Sequence, residues 1–277
     1  KFYGPSTLRI GLEKSRNLMT VRIAQNLGID KVAKFSKSLG IYDDPEELLS
    51  ISLGSAETTL LKLASAYSAF INGGKLVEPV LIDRVQDSEG NTIVNNKQRS
   101  CINCDEISFM SNQYPEIKDN YTQVFSPQTA YQMTSLLEGV IQRGTGKKLK
   151  KLELNIAGKT GTTNENTDAW FIGFTSNLII GVYVGMDDPK SLGRYETGSK
   201  TALPIFKDFV EKAVKKSNAR PFKVAEDIIM MVVDPNSGKK AKFSSKNTIV
   251  EAFKKKNVVD GKVLYTNNNR LDTANIL

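Results

Sequence analysis

Two apolar runs joined by a two-residue turn limit the fold of this chain more than any other feature. Ala169 to Thr175 and Leu178 to Gly185 each have the composition of a β-strand, and Ser176-Asn177 between them is typical of a tight hairpin. A hairpin of two strands needs a further strand or a packed helix to be stable. We therefore expect these strands to belong to an antiparallel sheet, with the segment just before them as a neighbouring strand.

Helices that can cover such a sheet are predicted on both sides of it in the sequence. Residues 58–71 show helical spacing of apolar residues, Ser126-Pro127 is a cap and first-turn proline before a long apolar stripe, and residues 202–215 repeat the same spacing. The prediction is an α+β fold, an antiparallel sheet flanked by helices. Residues 95–122 are polar and irregular, and we interpret them as a surface insertion.

The C-terminal part of the chain has a pattern of its own. After Pro221 a new apolar run, Ile228 to Val233, is followed by a turn at residues 234–238 and a more basic strand. We predict one domain over residues 1–220 and a small C-terminal extension containing β-strands over residues 221–277.

A junction between two short helices is predicted near the N-terminus. A helix over residues 7–14, with Leu8, Ile10 and Leu12 apolar, runs into Ser15-Arg16-Asn17, and a second helix starts at Leu18. Side chains at such a junction can point into a cleft.

The segment before the β-hairpin combines a cation, hydroxyls and a glycine: Lys159, Thr160, Gly161, Thr162 and Thr163. Glycine lets a ligand lie close to the main chain, the threonines offer donors to a carboxylate, and the lysine supplies positive charge. This pattern favours a site for an anionic acyl substrate. The alternative is a basic turn in an ordinary sheet.

Composition restricts the chemistry further. The 277 residues contain no histidine, which excludes Ser-His-Asp and Cys-His catalysis and most zinc catalysis. A nucleophile here needs a lysine or carboxylate base, and we expect no metal and no cofactor. Cys101 and Cys104 form a lone CxxC, which fits either a short local disulfide or two free thiols.

The net charge of +8 is compatible with an anionic partner, but the lysines are dispersed and no array of aromatic residues accompanies them. We expect no nucleic-acid binding. The longest apolar run, Leu178 to Met186, is shorter than the roughly 20 residues of a membrane-spanning helix. The sequence begins without Met and enters a helix signal at once, so we expect a fragment of a longer protein.

Several motifs together resemble one family. Ser15-Arg16-Asn17 and Lys159-Thr160-Gly161 match the second and third motifs of the penicillin-recognising acyl-serine enzymes. The surrounding segments agree with the transpeptidase domain of bifunctional class A penicillin-binding proteins: Tyr3-Gly4-Pro5, residues 12–19, residues 66–74, Gly144-Thr145-Gly146, residues 158–163 and residues 168–173. The resemblance covers residues 1 to about 215.

The resemblance implies a fold like that of penicillin-binding proteins and serine β-lactamases, here N-terminally truncated, and a set of site residues. Ser15 would relay a proton between an SxxK lysine and the leaving group, and Asn17 would hold that lysine and the substrate amide. Lys159 would bias the local electrostatics. Thr160, Gly161, Thr162 and Thr163 would bind the substrate, with the Thr162 N–H as half of an oxyanion hole.

The SxxK motif that carries the family's nucleophile does not precede Ser15 in this sequence. Ser237-Gly238-Lys239-Lys240 and Thr59 to Lys62 imitate its spacing, but the first follows the Lys-Thr-Gly motif in a predicted turn and the second lies in a predicted core helix. We expect the catalytic serine to lie upstream of Lys1, with a glycosyltransferase domain and a membrane anchor further upstream.

The resemblance implies a D,D-transpeptidase that cross-links peptidoglycan stem peptides, reacts with β-lactams, and sits at the periplasmic side of a bacterial inner membrane. Cell-wall synthesis proteins are further candidate partners. Two alternatives stay open: a serine β-lactamase or D,D-carboxypeptidase, which hydrolyses instead of transferring, and a non-catalytic peptidoglycan-binding scaffold.

Overall fold

The chain alternates α-helices with short antiparallel strand pairs. The computed structural model describes residues 3–96, 99–102, 116–215, 220–242, 245–259 and 262–263. Within these ranges the α-helices are α1 Leu8–Glu13, α2 Asn17–Leu27, α3 Ile29–Ser38, α4 Leu60–Ile71, α5 Pro127–Gln142 and α6 Ala202–Ala213. The strands are β1 Lys75–Leu76, β2 Arg84–Gln86, β3 Thr92–Asn95, β4 Arg99–Ile102, β5 Glu116–Asp119, β6 Thr122–Gln123, β7 Ala157–Thr162, β8 Ala169–Phe174, β9 Ile179–Val184, β10 Ile228–Val233, β11 Ile249–Lys254, β12 Val258–Val259 and β13 Lys262–Val263.

The central sheet is antiparallel, with the strand order β7-β8-β9. The predicted hairpin is present as β8 and β9, and the motif strand β7 pairs with β8 in a register that places Lys159 opposite Ile172 and Gly161 opposite Trp170. Residues directly opposite each other share a face of the sheet. Lys159 and Trp170 therefore project from the same side.

Helices cover both faces of this sheet. On one face Phe171 of β8 meets Phe206 of α6, with ring centroids 4.7 Å apart, inside a buried cluster that includes Ile141 and Leu203. On the other face Phe174 packs with α4 and α5. Side chains alternate along a strand, so neighbouring residues of β8 supply both layers. The predicted α+β arrangement is confirmed.

Helix caps explain where two of the covering helices begin. The Ser126 hydroxyl accepts a hydrogen bond from the Thr129 N–H, and Pro127 occupies the first turn of α5. Thr59 caps α4 in the same way by accepting from the Lys62 N–H. Both side chains satisfy backbone donors that a helix start leaves free.

The prediction of an irregular insertion at residues 95–122 was wrong in part. β4 and β5 pair in antiparallel register, and the preceding strands β2 and β3 form a similar ribbon. The side chains whose burial is described in this pair are mostly exposed, and Ile117 is 65% exposed, so burial gives no signal for these strands. Cys101 is disulfide-bonded, which favours the disulfide over the two free thiols that the sequence left open, while Cys104 lies outside the described residues.

The C-terminal segment contacts α5. β10 and β11 form a hairpin in which Met231, Val233 and Ala252 are buried. Its backbone receives hydrogen bonds from α5, where Gln132 Nε2 donates to the Ala252 carbonyl at 2.9 Å. The division of the chain at residues 220 and 221 stays a prediction.

None of the described helices combines the length and the apolar composition that a membrane crossing requires.

Candidate active site

Ser15 lies in the connection between α1 and α2, in a strained conformation. Its φ angle is 52°, in the left-handed region, and its N–H donates to the Leu12 carbonyl at 3.1 Å. The next N–H, that of Arg16, donates to the Gly11 carbonyl at 2.9 Å. Glycine usually fills this position after a helix because a side chain costs about 1 kcal/mol or more there. A serine at such a position marks a candidate functional residue.

Lys159 reaches across from β7 to this serine. Its Nζ atom donates to Ser15 Oγ at 2.8 Å and to the Thr160 carbonyl oxygen at 2.8 Å. Burial lowers the pKa of Lys159 to about 8, because desolvation disfavours the charged form. Among the described residues no carboxylate forms an ion pair with this ammonium group. The two predicted motifs thus meet, although 144 residues separate them.

The hydroxyl groups that follow Lys159 have different partners. Thr160 Oγ1 lies 2.9 Å from Thr145 Oγ1, and Thr162 Oγ1 accepts a hydrogen bond from the Gly198 N–H at 3.0 Å. The Thr162 hydroxyl keeps its own proton for donation to a ligand, since a hydroxyl both donates and accepts.

Thr163 has a local structural role. Its hydroxyl oxygen accepts from the Asp168 N–H at 2.8 Å and lies 2.8 Å from Thr167 Oγ1. These contacts close the turn between β7 and β8. Its predicted role in substrate binding stays a prediction.

Gly161 lies close to Trp170 of the neighbouring strand β8. A Cβ atom at this position would come within 3.0 Å of the Trp170 Cβ atom on β8. β7 is also at the end of the strand order, so its outer edge has no partner among the described strands. A ligand in extended conformation can approach the backbone along this edge.

Asn17 is the first residue of α2 and is exposed. It follows Ser15 by two residues, and within the described ranges no hydrogen bond of its side chain is found. The structure therefore brings Ser15 into contact with Lys159, and Thr145 into contact with Thr160. It shows no such contact for the exposed Asn17 side chain within the described residues.

Thr145 was not predicted as a site residue. Its N–H donates to the Glu13 carbonyl at 3.2 Å, and its hydroxyl contacts Thr160. It therefore joins the loop after α5 to Thr160 of the Lys-Thr-Gly motif and to the end of α1, two residues before Ser15. The motif Gly144-Thr145-Gly146 was visible in the sequence, but its spacing alone gave no reason to place it beside Thr160.

The two segments that match the spacing of SxxK have structural roles: one begins a helix and the other forms a turn. The Thr59 hydroxyl caps α4, while the Lys62 ammonium group pairs with Asp43 at 2.7 Å. Ser237 lies in the turn after β10, where its N–H donates to Asp234 Oδ1 at 3.0 Å. Neither segment contacts Ser15 or Lys159 in the described structure.

The arrangement can transfer protons and bind an anion. A hydroxyl in contact with a lysine of lowered pKa can pass a proton in either direction. The positive charge and the threonine hydroxyls favour a carboxylate or an oxyanion on the open side of β7. In the described ranges no group of three or more acidic or thiol side chains is placed to hold a metal ion.

Comparison with known proteins supports the family resemblance that the motifs indicated. Residues 1–211 match the family model "Penicillin binding protein transpeptidase domain". Penicillin-binding protein 1A of Rickettsia bellii is 42% identical over 275 residues, which is 97% of this chain and 34% of that protein. The corresponding protein of Pseudomonas aeruginosa is 31% identical over 284 residues, covering 91% of this chain and 34% of its own length.

A solved structure is similar as well. The crystal structure of penicillin-binding protein 1A from Haemophilus influenzae matches with a TM-score of 0.76 and 31% sequence identity, over 92% of this chain and 40% of that chain. The chain spans about a third of the length of the curated relatives it matches.

Proposed function

We propose that the full-length protein is a peptidoglycan D,D-transpeptidase, on the premise that this chain belongs to the family of penicillin-binding protein transpeptidase domains. The observation that carries the proposal is the contact between Lys159 Nζ and Ser15 Oγ at 2.8 Å. It joins two motifs of the acyl-serine enzymes into one site.

The substrate we propose is a stem peptide that ends in D-Ala-D-Ala. Its terminal carboxylate would lie near Thr160 and Thr162, where the Thr162 hydroxyl can donate and Lys159 supplies positive charge. Its backbone would run along the open edge of β7. Gly161 leaves room for this approach, and the Thr162 N–H would serve as one donor of the oxyanion hole.

The nucleophile in this proposal is the serine of an SxxK motif in a segment N-terminal to Lys1. The serine oxygen attacks the carbonyl carbon of the penultimate D-Ala, and its proton passes to the SxxK lysine. Ser15 relays a proton to the amine of the departing D-Ala as the peptide bond breaks. The amine of a second stem then attacks the acyl-serine carbonyl and forms the new amide bond. Its proton passes through Ser15 and the SxxK lysine to the serine oxygen as the ester bond breaks, which regenerates the serine hydroxyl.

Asn17 would hold the SxxK lysine and the substrate amide in this scheme. The exposed position of Asn17 at the start of α2 supports the assignment, because its amide is open to a partner. β-Lactams would react with the same serine, as the name of the family indicates. The full-length protein would also carry a glycosyltransferase domain and an anchor in the inner membrane, with this domain on the periplasmic side.

The second candidate is a hydrolase that uses the same site, a serine β-lactamase or D,D-carboxypeptidase. The two reactions differ in whether water or an amine attacks the acyl-serine. The similarity to penicillin-binding proteins 1A supports transfer. A non-catalytic peptidoglycan-binding scaffold is the third candidate.

The test uses a fluorescent penicillin and intact-mass measurement on three proteins: the full-length protein, its Lys159→Ala variant and its Lys212→Ala variant. We expect one covalent adduct per full-length molecule, and acylation of Lys159→Ala slowed by about 10²- to 10³-fold. Lys212 is an exposed lysine paired with Asp208 on α6, so its variant is the matched control with an unchanged rate. The 277-residue chain alone should form no adduct.

A folded full-length protein that stays unmodified would support the scaffold. An adduct on Ser237 would refute the assignment of the nucleophile. Release of hydrolysed product without cross-linked dimers of stem peptide would favour the hydrolase.

A further inference from the structure

A charged cluster lies on the buried side of α1. Arg9 is 4% exposed and Glu13 is 3% exposed, whereas Leu8 is 39% exposed. Charged side chains are rarely buried unless they are paired and hydrogen-bonded. The partners of these two side chains therefore determine how α1 is held.

Arg9 is bound by the C-terminal hairpin. Its Nε and Nη2 atoms donate to the two carboxylate oxygens of Glu251 on β11. The same guanidinium donates to Ser135 on α5, from Nη1 to the carbonyl at 3.0 Å and from Nη2 to the hydroxyl at 3.0 Å. A two-pronged pair of this kind fixes orientation as well as distance. Glu251 thus fixes the orientation of Arg9, and the bonds from Arg9 to Ser135 hold α1 against α5.

Glu13 is held from the other side by the end of α5. Arg143 donates to its carboxylate from Nη2 at 2.6 Å and from Nε at 3.2 Å, and Arg9 Nη1 lies 3.3 Å from Glu13 Oε1. Glu138 faces the same two arginines, whose positive charges oppose the rise in its pKa that burial causes. Two guanidinium groups and three carboxyl groups therefore meet at the α1–α5 contact.

Two glycines let α1 approach so closely. A Cβ atom at Gly139 would overlap Glu13 Oε1, and one at Gly144 would overlap the Glu13 carbonyl oxygen. The charged side chains therefore lie close against α5, and the α1 backbone lies close to the loop that follows α5. A small displacement of either helix changes these contacts.

The cluster is connected to the candidate active site by short hydrogen-bonded steps. The Glu13 carbonyl accepts from the Thr145 N–H at 3.2 Å, and the Thr145 hydroxyl meets Thr160 at 2.9 Å. Glu13 also precedes Ser15 by two residues. The position of α1 therefore sets where the strained serine meets Lys159.

We propose that the β10–β11 hairpin is a positioning element of the active site, and that Glu251 acts through Arg9 and Glu13 to hold the Ser15 hydroxyl against Lys159. Glu251 contacts neither residue itself, so it is a positioning residue. This inference rests on the proposed function of the site, and it gives the C-terminal hairpin a role in the reaction.

The test compares full-length Glu251→Gln with full-length Asp227→Asn. Glutamine keeps the shape of the side chain but removes the charge that pairs with Arg9. Asp227 precedes β10 and forms an exposed pair with Lys255 at 3.9 Å, so its variant removes a carboxylate next to the same hairpin without touching the cluster. We expect Glu251→Gln to slow acylation by fluorescent penicillin by roughly 10- to 100-fold, and Asp227→Asn to leave it unchanged.

A second measurement separates positioning from stability and does not depend on acylation. Competitive acetylation at a series of pH values, read by peptide mass spectrometry, reports the pKa of Lys159. We expect a value of about 8 in the wild type and Asp227→Asn. In Glu251→Gln the pKa should rise, because a displaced α1 admits water to the lysine. Glu251→Asp keeps the charge and should recover part of the acylation rate.

The outcomes are distinct. If Glu251→Gln melts at a lower temperature but keeps the wild-type rate and Lys159 pKa, the hairpin only stabilises the fold and the inference is wrong. If Glu251→Gln does not fold, Glu251→Asp decides, because wild-type values in both measurements would refute positioning. If the wild type does not react with penicillin, the proposed function fails, and the Lys159 pKa alone still supports or refutes the positioning role.

Discussion

Two desolvated cations in this molecule, the half-buried Lys159 and the buried Arg9, have pKa values shifted in opposite directions. Lys159 has a hydroxyl and a carbonyl as neighbours, and burial lowers its pKa to about 8. Burial also opposes the charge on Arg9, but hydrogen bonds and charges from Glu251 and Glu13 outweigh it and raise the pKa of this arginine. The difference lies in the partners. The charge of Arg9 is neutralised by carboxylates, whereas Lys159 contacts only neutral groups among the described residues, so its charge is available to a ligand.

This contrast separates a structural site from a functional one. A compensated cluster holds helices together and has little capacity left for a ligand. An uncompensated cation destabilises the folded protein, and such groups concentrate where chemistry needs them. Substitutions at the two places should therefore change stability in opposite directions.

The largest expected effect is at Arg9. Arg9→Ala should lower the free energy of unfolding by about 3–5 kcal/mol, because the half-buried Glu251 carboxylate would lose its arginine and the buried Glu13 carboxylate would be left with Arg143 alone. Urea denaturation followed by circular dichroism measures the change. A loss below about 1 kcal/mol would show that water reaches these carboxylates, and the contrast with Lys159 would disappear.

Lys159→Met should have the opposite sign. At pH 7 the variant should be more stable than the wild type by up to about 3 kcal/mol, since it lacks a desolvated charge. Acylation should be lost at the same time. Equal stability of the two proteins would show that the ammonium group is well solvated.

The same lysine predicts how stability depends on pH. Its pKa in the folded protein, about 8, lies below the ordinary value of 10.5. Between these values the unfolded chain binds a proton that the folded chain does not, so the free energy of unfolding should rise with pH. The destabilisation is fully present below pH 8 and disappears as the pH approaches 10.5. In Lys159→Met this part of the pH dependence should be absent, as urea titrations at several pH values can show.

Ser15→Gly should stabilise the protein by about 0.5–1 kcal/mol, because glycine adopts the left-handed conformation without strain. Ser15→Ala keeps the strain and serves as the matched control, with little change in stability. Both variants lack the hydroxyl and should acylate slowly. If Ser15→Gly were destabilised, the serine hydroxyl would contribute more to folding than its strain costs.

The smallest effect is expected for a charged pair outside both sites. Asp227 and Lys255 are 67% and 70% exposed and 3.9 Å apart, so Asp227→Asn should change the free energy of unfolding by less than about 0.5 kcal/mol. Urea denaturation at low and at physiological salt provides the check. A larger effect would mean that exposed carboxylates near the C-terminal hairpin contribute as much to the free energy of unfolding as Glu251.

The central layers of the fold could be predicted because each carries a local pattern. β8 and β9 are apolar runs on either side of a two-residue turn, and α5 begins at the predicted Ser126 cap. These signals arise between residues close in sequence, where spacing and chemistry are directly visible. The β4–β5 ribbon was missed because both of its faces are largely exposed.

The candidate site could be assembled from the sequence only through its motifs. Ser15 and Lys159 were predicted to act together, and the structure places them 2.8 Å apart. The burial of Arg9 could not be predicted, since its partner Glu251 lies 242 residues further along the chain. No local pattern distinguishes an arginine that pairs at such a distance from one on the surface.

The lowered pKa of Lys159 also makes anion binding a proton-consuming event. Near pH 8 the free protein carries about half a proton on this amine, and an anion beside it raises the pKa so that the remainder is taken up from solution. The buffer must release that proton. The heat of association therefore contains the ionisation enthalpy of the buffer, and one ligand gives different apparent enthalpies in phosphate and in Tris at the same affinity.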